Sequence, residues 1–414
     1  MAAGFLRRWQ DAWRFANSAD SLDILRILRG TANAKSGAVV NHRTALQATT
    51  SLACARVIAE GIAQVPFKHM KYDGTNRIPL TGSSLYRVLH DAPNEWMSAY
   101  DFREMMGIHL VFAGGFYAFI NRVRGEVVEL LPFEPGDVTV KRDGWKLSYE
   151  VRMKDGGKPQ QIPAANMWHI RGPSWNGWMG LDGVKMVREA IGLALATEEH
   201  GAIVFKNGGQ TTGILSTDQQ LSPQKAKELR ESWQEHQAGD NRFKIAVLWG
   251  GMTHTSTANT NEQTQFLQTR GFQVEEICRG FRVLPIMVGH SDKAQTYATA
   301  EQMFIAHVTF TLMPWGVRIE KSANLNLLNE KQRKAGEYTH FMFNGLLRGA
   351  SKDRSEFYAK ALGSGGSPAW MTQDEVRDLE EMNPFGGNAA LLREPSNAGD
   401  TIPSEQEGDD GNAN

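Results

Sequence analysis

Residues 265–314 have the sequence QFLQTRGFQVEEICRGFRVLPIMVGHSDKAQTYATAEQMFIAHVTFTLMP, and this stretch decides the fold. Apolar residues recur at helical spacing from Gln265 to Val283, which predicts a helix with one apolar face. Pro285 ends that helix. After a polar loop, a second and largely apolar helix is predicted at 299–313, ended by Pro314. The two helices are joined by a polar loop and contain no catalytic set of residues. This pattern indicates a surface along which another molecule slides, rather than an enzyme pocket.

Composition describes an ordinary soluble protein large enough for two or three domains. The formal net charge is −1 over 414 residues, which argues against a tight nucleic-acid binder but is compatible with transient DNA contact. Cys54 and Cys278 both lie in apolar helical patterns, so each is predicted to be a buried free thiol in the core. The protein is therefore expected to be synthesised in a reducing compartment. Neither a secretory signal nor a membrane span is predicted, because the longest apolar run is too short.

Before residue 183 the pattern predicts an α+β region. A small-residue helix is expected from Thr44 to Gln64, with alanines that permit close packing. A capping box at Ser98–Asp101 opens the next helix. Strands are expected at 116–123, 126–131, 137–142 and 145–153, with hairpin turns at Arg124-Gly125, Asp143-Gly144 and Asp155-Gly156. Trp168-His169-Ile170 closes the set as a strand, and His169 is predicted to be a core histidine.

The second half predicts a stalk that carries a small module. Asp182 caps a long helix over 183–206, and an α/β module is inserted between that helix and the one at 265–283. After Pro314 we expect a strand from Val317 to Leu328 and then a helix from Glu337 to Leu347. The tail at 391–414 is acidic, lacks aromatic residues and is predicted to be disordered.

Motifs of enzymes are missing from the sequence. It contains no Walker-type phosphate loop, no dinucleotide-binding glycine pattern, no His-Glu-x-x-His and no Gly-x-Ser-x-Gly. His290 and Asp292 form only a very weak acid–base pattern. Two distant cysteines do not make a structural zinc site. We therefore predict no enzymatic activity, no cofactor and no metal.

An ordered set of motifs between about residues 44 and 390 resembles the portal proteins of tailed bacteriophages, in the branch found in long-tailed lambda-like phages. The motifs are Ala53–Glu60 with Pro66, Pro93-Asn94, Gly115–Ala118, Leu131-Pro132, His169-Ile170, Phe205–Gly208, Leu248 with Gly250, Glu275–Arg279 with Phe281, Val283 and Pro285, Glu301-Gln302, Pro314, and Thr372–Arg377 with Asn383-Pro384. Each motif alone is weak, but their order and spacing are specific. The chain departs from the family at Gly114–Phe116, at Asp374 and at Arg282–Pro285, where the family has Gly-Asn-Ala, Asn and Gly-Val-Pro-Pro.

This resemblance implies a portal-like subunit of a ring, usually of twelve copies, around a DNA channel at one capsid vertex. Its parts are expected to be an N-terminal arm at 1–43, an α/β wing at 44–182 with 314–334, stem helices at 183–208 and 263–285, an α/β clip at 209–262, a tunnel loop at 286–298, a long helix at 299–313, a helical crown at 335–390 and the tail at 391–414. The stalk with a small module, reached from the pattern alone, agrees with this division.

Two groups of residues are the candidate site. In a ring, the loop residues His290, Lys293, Gln295, Thr296 and Tyr297 are expected to line the narrowest point of the channel, where Lys293 forms a circle of cations. The alternative is that Thr296 and Tyr297 only cap the next helix.

The stem residues Glu275, Glu276, Arg279 and Arg282 are predicted to pair with neighbouring subunits, and the alternative is that they face the channel. Within the helix itself, Glu275 and Arg279 have the i,i+4 spacing of a favourable pair.

The function implied is a portal for packaging and ejecting double-stranded DNA. The expected partners are further copies of the chain, the terminase large subunit, a head-completion or adaptor protein and the major capsid protein, with no membrane. The expected location is the virion vertex, and the host cytoplasm during assembly. The alternatives are a vertex or head–tail adaptor protein without a DNA channel, and a packaging nuclease, for which the sequence shows no carboxylate cluster.

Overall fold

The structure is a computed structural model that describes residues 33–153, 157–206, 213–217, 222–236, 251–256, 260–290, 297–347, 351–364, 368–380 and 382–393. Its helices are α1 His42–Ala45, α2 Thr49–Ala63, α3 Ser84–His90, α4 Ala99–Ala113, α5 Gly183–Met186, α6 Arg188–Lys206, α7 Pro223–His236, α8 Thr260–Phe281, α9 Tyr297–His307, α10 Met313–Asn326, α11 Glu330–Lys334, α12 Asn344–Leu347, α13 Ser351–Ala361 and α14 Gln373–Leu379. Its strands are β1 Phe67–Tyr72, β2 Arg77–Pro79, β3 Gly115–Val123, β4 Glu126–Phe133, β5 Val138–Asp143, β6 Lys146–Val151, β7 Gln160–Pro163, β8 Met167–Arg171, β9 Gly213–Ser216, β10 Thr253–Ser256 and β11 Glu337–Phe341. The predicted α+β class is confirmed.

The strands form small antiparallel sheets, in the orders β11-β1-β2, β4-β3-β8, β5-β6-β7 and β10-β9. The hairpin predicted at Arg124-Gly125 is present, with φ of 54° and 89°, as a two-residue turn of this type requires. The capping box at Ser98–Asp101 is also present. The turn predicted at Asp155-Gly156 lies outside the described residues.

The main core is built where α2 crosses α4. Gly107 of α4 lies so close to α2 that a Cβ there would be 2.6 Å from Ala59 Cα. This confirms the close packing predicted for the small-residue helix. Around the crossing are Phe116 and Trp168, both fully buried and packed edge to face. The helix predicted from Thr44 to Gln64 is two helices, α1 and α2, separated at residues 46–48.

His169 of β8 is a core histidine, as predicted. It is 6% exposed, its Nδ1 lies 3.1 Å from Tyr149 Oη, and the Tyr117 ring stacks on it with centroids 4.5 Å apart. Nε2 has no hydrogen-bond partner among the described residues. Burial, and then the positive charge of Arg171, lower the pKa of His169 to about 3.

This histidine is expected to make folding sensitive to acid. The pKa is about 3 in the folded chain and about 6.5 when unfolded, so the unfolded state takes up the proton first. The contribution of neutral His169 to the free energy of unfolding is therefore complete above about pH 6.5. It is lost at about 1.4 kcal/mol per pH unit as the pH falls towards 3. His169→Gln should lessen the loss of unfolding free energy between pH 7 and pH 5 by about 2 kcal/mol, measured by denaturant titration. An unchanged pH dependence in the variant would contradict this assignment.

Three predictions between 313 and 347 are wrong. Val317–Leu328 lies mainly in α10 rather than in a strand, and its buried face consists of Gly316, Ile319 and Ala323 at helical spacing. Glu337–Phe341 is strand β11, and only the end of the predicted helix is helical. Pro314 does not end the helix, since α9 continues through a π-helical turn at Val308–Leu312 into α10.

The π turn explains why Pro314 is tolerated. In a regular helix a proline removes one backbone hydrogen bond and its ring clashes with the carbonyl four residues earlier. A π turn is wider, so it leaves room for the ring at the first turn of α10. Strand β11 has a similar tertiary cause: it pairs along β1, and Phe341 stacks on Phe67 with ring centroids 4.1 Å apart.

Several predicted segments lie outside the described residues: most of the N-terminal arm, much of the clip, and the tail beyond residue 393. The end of the arm is described, and it lies against α6, where Lys35 N donates to Glu189 Oε2 at 2.9 Å. In the described part of the chain, none of the helices has both the length and the apolar character that a membrane crossing requires.

Candidate functional site

The two predicted stem helices, α6 and α8, pack side by side. The predicted apolar face of α8 is buried at its C-terminal half, where Ile277, Cys278 and Phe281 are at most 8% exposed. Its N-terminal half leaves the core: Leu267 is 70% exposed and Phe272 54%. Both side chains therefore lie on the solvent-facing part of α8 in the single subunit.

The base of the predicted stem contacts the predicted wing through the two cysteines. Cys54 of α2 and Cys278 of α8 are both fully buried free thiols with their Sγ atoms 3.8 Å apart. The hydrogen bond between them and the burial raise the pKa of the Cys54 thiol, so it is protonated at neutral pH. Both were predicted to be core thiols, but only the fold brings them together.

The charged residues of the predicted stem lie at the C-terminal end of α8, which is also the end that carries Cys278. Arg279 is 62% exposed and forms an ion pair with Glu276 one turn earlier, rather than with Glu275 as the spacing predicted. Glu275 is half-buried. The exposed face of this pair leaves both charges accessible to a second chain.

Arg282 ends α8 in a left-handed conformation, with φ of 58°. Val283 N donates to Cys278 O at 2.9 Å and Arg282 N to Arg279 O at 3.2 Å, which is the Schellman pattern. This position favours glycine, because a side chain there costs about 1 kcal/mol or more. The departure from the family motif at Arg282 thus falls on a residue whose left-handed backbone favours glycine.

The predicted tunnel loop is described only at its two ends. Residues 291–296, which include Lys293, Gln295 and Thr296, lie outside the described residues, and Tyr297 is described only as the first residue of α9. His290 follows a short 3₁₀ turn, its N–H donates to Pro285 O at 3.0 Å, and its ring lies beside Gly271 of α8. The loop therefore begins beside α8, the helix that precedes it.

One set of residues resembles a hydrolytic triad and was missed in the sequence. Ser83 Oγ lies 2.8 Å from His69 Nδ1, and His69 Nε2 lies 3.1 Å from Glu337 Oε2. Ser83 Oγ also accepts the N–H of Tyr86 at 3.0 Å, as the N-cap of α3. Since His69 is fully buried, the set joins α3 to the sheet edge instead of facing a substrate.

A comparison with protein families decides what this arrangement belongs to. The family model for phage portal proteins matches residues 49–381, which includes the wing, both stem helices and most of the described C-terminal part. The chain belongs to the phage portal protein family. Its function is accordingly that of a portal protein at the capsid vertex, and the family is structural rather than enzymatic.

Relatives extend over most of the chain. The portal protein of Enterobacteria phage HK97 is 29% identical over 361 residues, which are 86% of this chain and 83% of the relative. A probable portal protein of Streptomyces phage phiC31 is 29% identical over 385 residues, covering 89% and 82%. Both relatives are therefore similar to this chain over more than four fifths of its length.

Solved structures share the fold at low sequence identity. A crystal structure of an HK97 family phage portal protein from Corynebacterium diphtheriae superimposes with a TM-score of 0.56 at 16% identity, covering 73% of this chain and 96% of that one. A chain in the virion of a native gene transfer agent particle gives a TM-score of 0.59 at 18% identity, covering 87% and 98%. A chain from the neck of that particle, computed with C12 symmetry, gives 0.57 at 18% identity, covering 83% and 92%.

Proposed function

We propose that twelve copies of this chain close into a ring whose axis is a channel for double-stranded DNA during packaging and ejection. The observation that carries the proposal is the pair of packed helices, α6 and α8, anchored in the core of the predicted wing, with the polar residues 289–296 following α8 in sequence. A gene transfer agent neck with C12 symmetry contains a chain of the same fold, which supports this subunit number. The net charge of −1 suits a channel that holds the duplex only lightly.

In such a ring the loop residues Lys293, Gln295, Thr296 and Tyr297 form the narrowest point, with His290 at its base. One lysine per subunit gives a circle of cations whose field is focused inside a narrow pore. That arrangement guides phosphates without the many contacts that would immobilise the duplex. The clip at 209–262 meets the terminase large subunit during packaging in the host cytoplasm and a head-completion protein later, and the wing meets the major capsid protein.

Particle imaging of the purified protein, with mass measurement to count subunits, tests this function. The expected result is an annulus with a pore wide enough for a B-form duplex. A ring too narrow for the duplex would favour an adaptor at the vertex without a channel role. A stable lone subunit under every assembly condition would overturn the proposal.

The stem charges Glu275, Glu276, Arg279 and Arg282 are proposed to pair across the subunit interface. Arg279→Glu is then expected to shift the protein from rings to smaller species, because the same repulsion is repeated at every interface. Mass photometry measures the shift.

Arg56→Glu is the matched control. Arg56 is 60% exposed and paired with Glu60 at i,i+4, so it reproduces the loss of a helical surface pair. If both variants assemble equally well, Arg279 does not pair between subunits.

A further inference from the structure

A groove in two parts opens between α10, the loop after β8 and the base of the stem. Its apolar part is a cavity of about 200 Å³ whose lining includes Met186, Phe281, Phe310 and Trp315. For comparison, an apolar cavity of about 150 Å³ is enough to bind benzene. The second part is a cleft of about 470 Å³ that shares Pro314 and Arg318 with the first. A ligand with a flat apolar group beside a polar group fits both parts together.

The second part is cationic. Arg171, Arg318 and Lys321 line it, and none of them has an ion pair with a carboxylate among the described residues. The guanidinium of Arg318 donates to the carbonyls of Arg171 and Gly172 at 3.3 and 3.1 Å, which fixes its position. Burial, and then the charge of Arg171, lower the pKa of Arg318, so like charges are held together here. A carboxylate would relieve that repulsion.

The same chain carries a complementary group elsewhere on its surface. Trp96 is 67% exposed, and the preceding Glu95 is exposed too. The turn that presents them is fixed by buried Asn94, whose Oδ1 accepts the N–H groups of Trp96 and Met97 at 3.2 and 3.0 Å and whose Nδ2 donates to Leu130 O at 3.0 Å. In the described part of the chain Trp96 has no aromatic or cationic partner, whereas the similarly exposed Trp145 lies under Arg142. A rigid, exposed indole beside a carboxylate is a typical interface anchor.

The groove and the Glu95-Trp96 turn lie at opposite ends of one helix. The turn immediately precedes α4, and at the other end Gly114 O accepts the N–H of Gly172 at the edge of the groove. Fifteen residues of helix span about 22 Å, so the turn does not reach the groove of its own chain. Two different surfaces on opposite ends of a rigid element are what head-to-tail ring closure requires.

We propose that the Glu95-Trp96 turn of one subunit docks into the two-part groove of the next subunit, with the indole in the apolar part and the carboxylate beside Arg171, Arg318 and Lys321. The partner is a second copy of this chain. The inference rests on the ring proposed above and assigns the wing part of its interface, separate from the stem charges.

Photocrosslinking of the full-length protein tests the docking directly. Trp96 is replaced by p-benzoylphenylalanine, which keeps an aromatic group at the position, and assembled protein is irradiated. The expected result is a covalent ladder of subunits, with crosslinked peptides from 172–186 or 310–326. The same replacement at Trp145 is the control and should not reach those peptides.

Charge exchange gives a second readout that does not depend on the probe. Glu95→Lys and Lys321→Glu should each raise the protein concentration needed for half-assembly by about tenfold or more, and the double variant should restore assembly. Rings that form normally while position 96 crosslinks elsewhere, or not at all, would overturn the docking and leave the portal ring standing. Wild-type protein that forms no rings would instead overturn the proposed function.

Discussion

Arg103→Met is expected to lower the free energy of unfolding by about 3 kcal/mol, although Arg103 is far from the stem. Its guanidinium is buried and bonds the ends of two helices: Nε and Nη2 donate to Ala63 O of α2 at 3.1 and 2.8 Å, and Nη1 donates to Leu89 O of α3 at 3.0 Å. Burial lowers the pKa of Arg103 to about 10, which leaves it charged at neutral pH. Methionine fills similar space but leaves two buried carbonyls without donors at helix C-termini, where a cation is favourable.

Denaturant titration followed by tryptophan fluorescence measures this change. Arg56→Met is the control, since Arg56 is exposed and its pair with Glu60 is expected to contribute less than about 1 kcal/mol. Equal effects of the two substitutions would show that the buried guanidinium does not hold α2 and α3 together.

Gly107→Ala is expected to destabilise the chain by about 2–3 kcal/mol, even though alanine is the better helix former. The added Cβ would lie 2.6 Å from Ala59 Cα and 2.9 Å from Ala59 Cβ, so α2 and α4 must move apart. Since this crossing supports the core of the predicted wing, from which the predicted stem extends, fewer of the proposed rings are expected at a given protein concentration.

Gly271→Ala separates the steric effect from helix propensity. Gly271 is also inside a long helix, but its nearest neighbour for an added Cβ is His290 Cε1 at 4.0 Å. This control should gain up to about 1 kcal/mol in unfolding free energy. If Gly107→Ala stabilises the chain in the same way, the close approach of α2 and α4 is not as described.

Local patterns were sufficient where neighbouring residues determine the structure. Strands β5 and β6 alternate in hydrophobicity, and hairpins β3-β4 and β5-β6 each turn at an X-Gly dipeptide whose glycine has positive φ, so both strands and turns were predicted. The capping box at Ser98 was predicted for the same reason, because all its hydrogen bonds lie within four residues.

Local sequence patterns gave the wrong secondary structure where contacts with a segment far away in the sequence determine it. Glu337–Phe341 is a strand because β1, about 270 residues earlier, offers its edge to it. Val317–Leu328 alternates like a strand, yet it is helical because Gly316 packs against Phe343 and Ala323 joins the buried face. The alternation Glu-Tyr-Thr-His-Phe at 337–341 is the sequence signal that could have identified β11, but a helix was predicted there.

For the candidate site, the sequence predicted the two stem helices, α6 and α8, and the loop that follows α8, but it did not predict the groove beside α10. Arg171 of β8 and Lys321 of α10 are 150 residues apart and line one cleft only because α10 lies beside the loop after β8. Similarly, Arg279 was predicted to pair with Glu275, and side-chain packing in the helix chose Glu276.

The sequence by itself determined the α+β class, the long helices with their caps, the hairpins and the order of motifs that resembles portal proteins, since each depends on residues close together in the chain. Only the tertiary structure decided which thiols meet, how α9 continues past Pro314, and which cations are left beside an open apolar cavity at one end of α4. These depend on the packing of segments far apart in sequence, where burial and close approach outweigh local propensity.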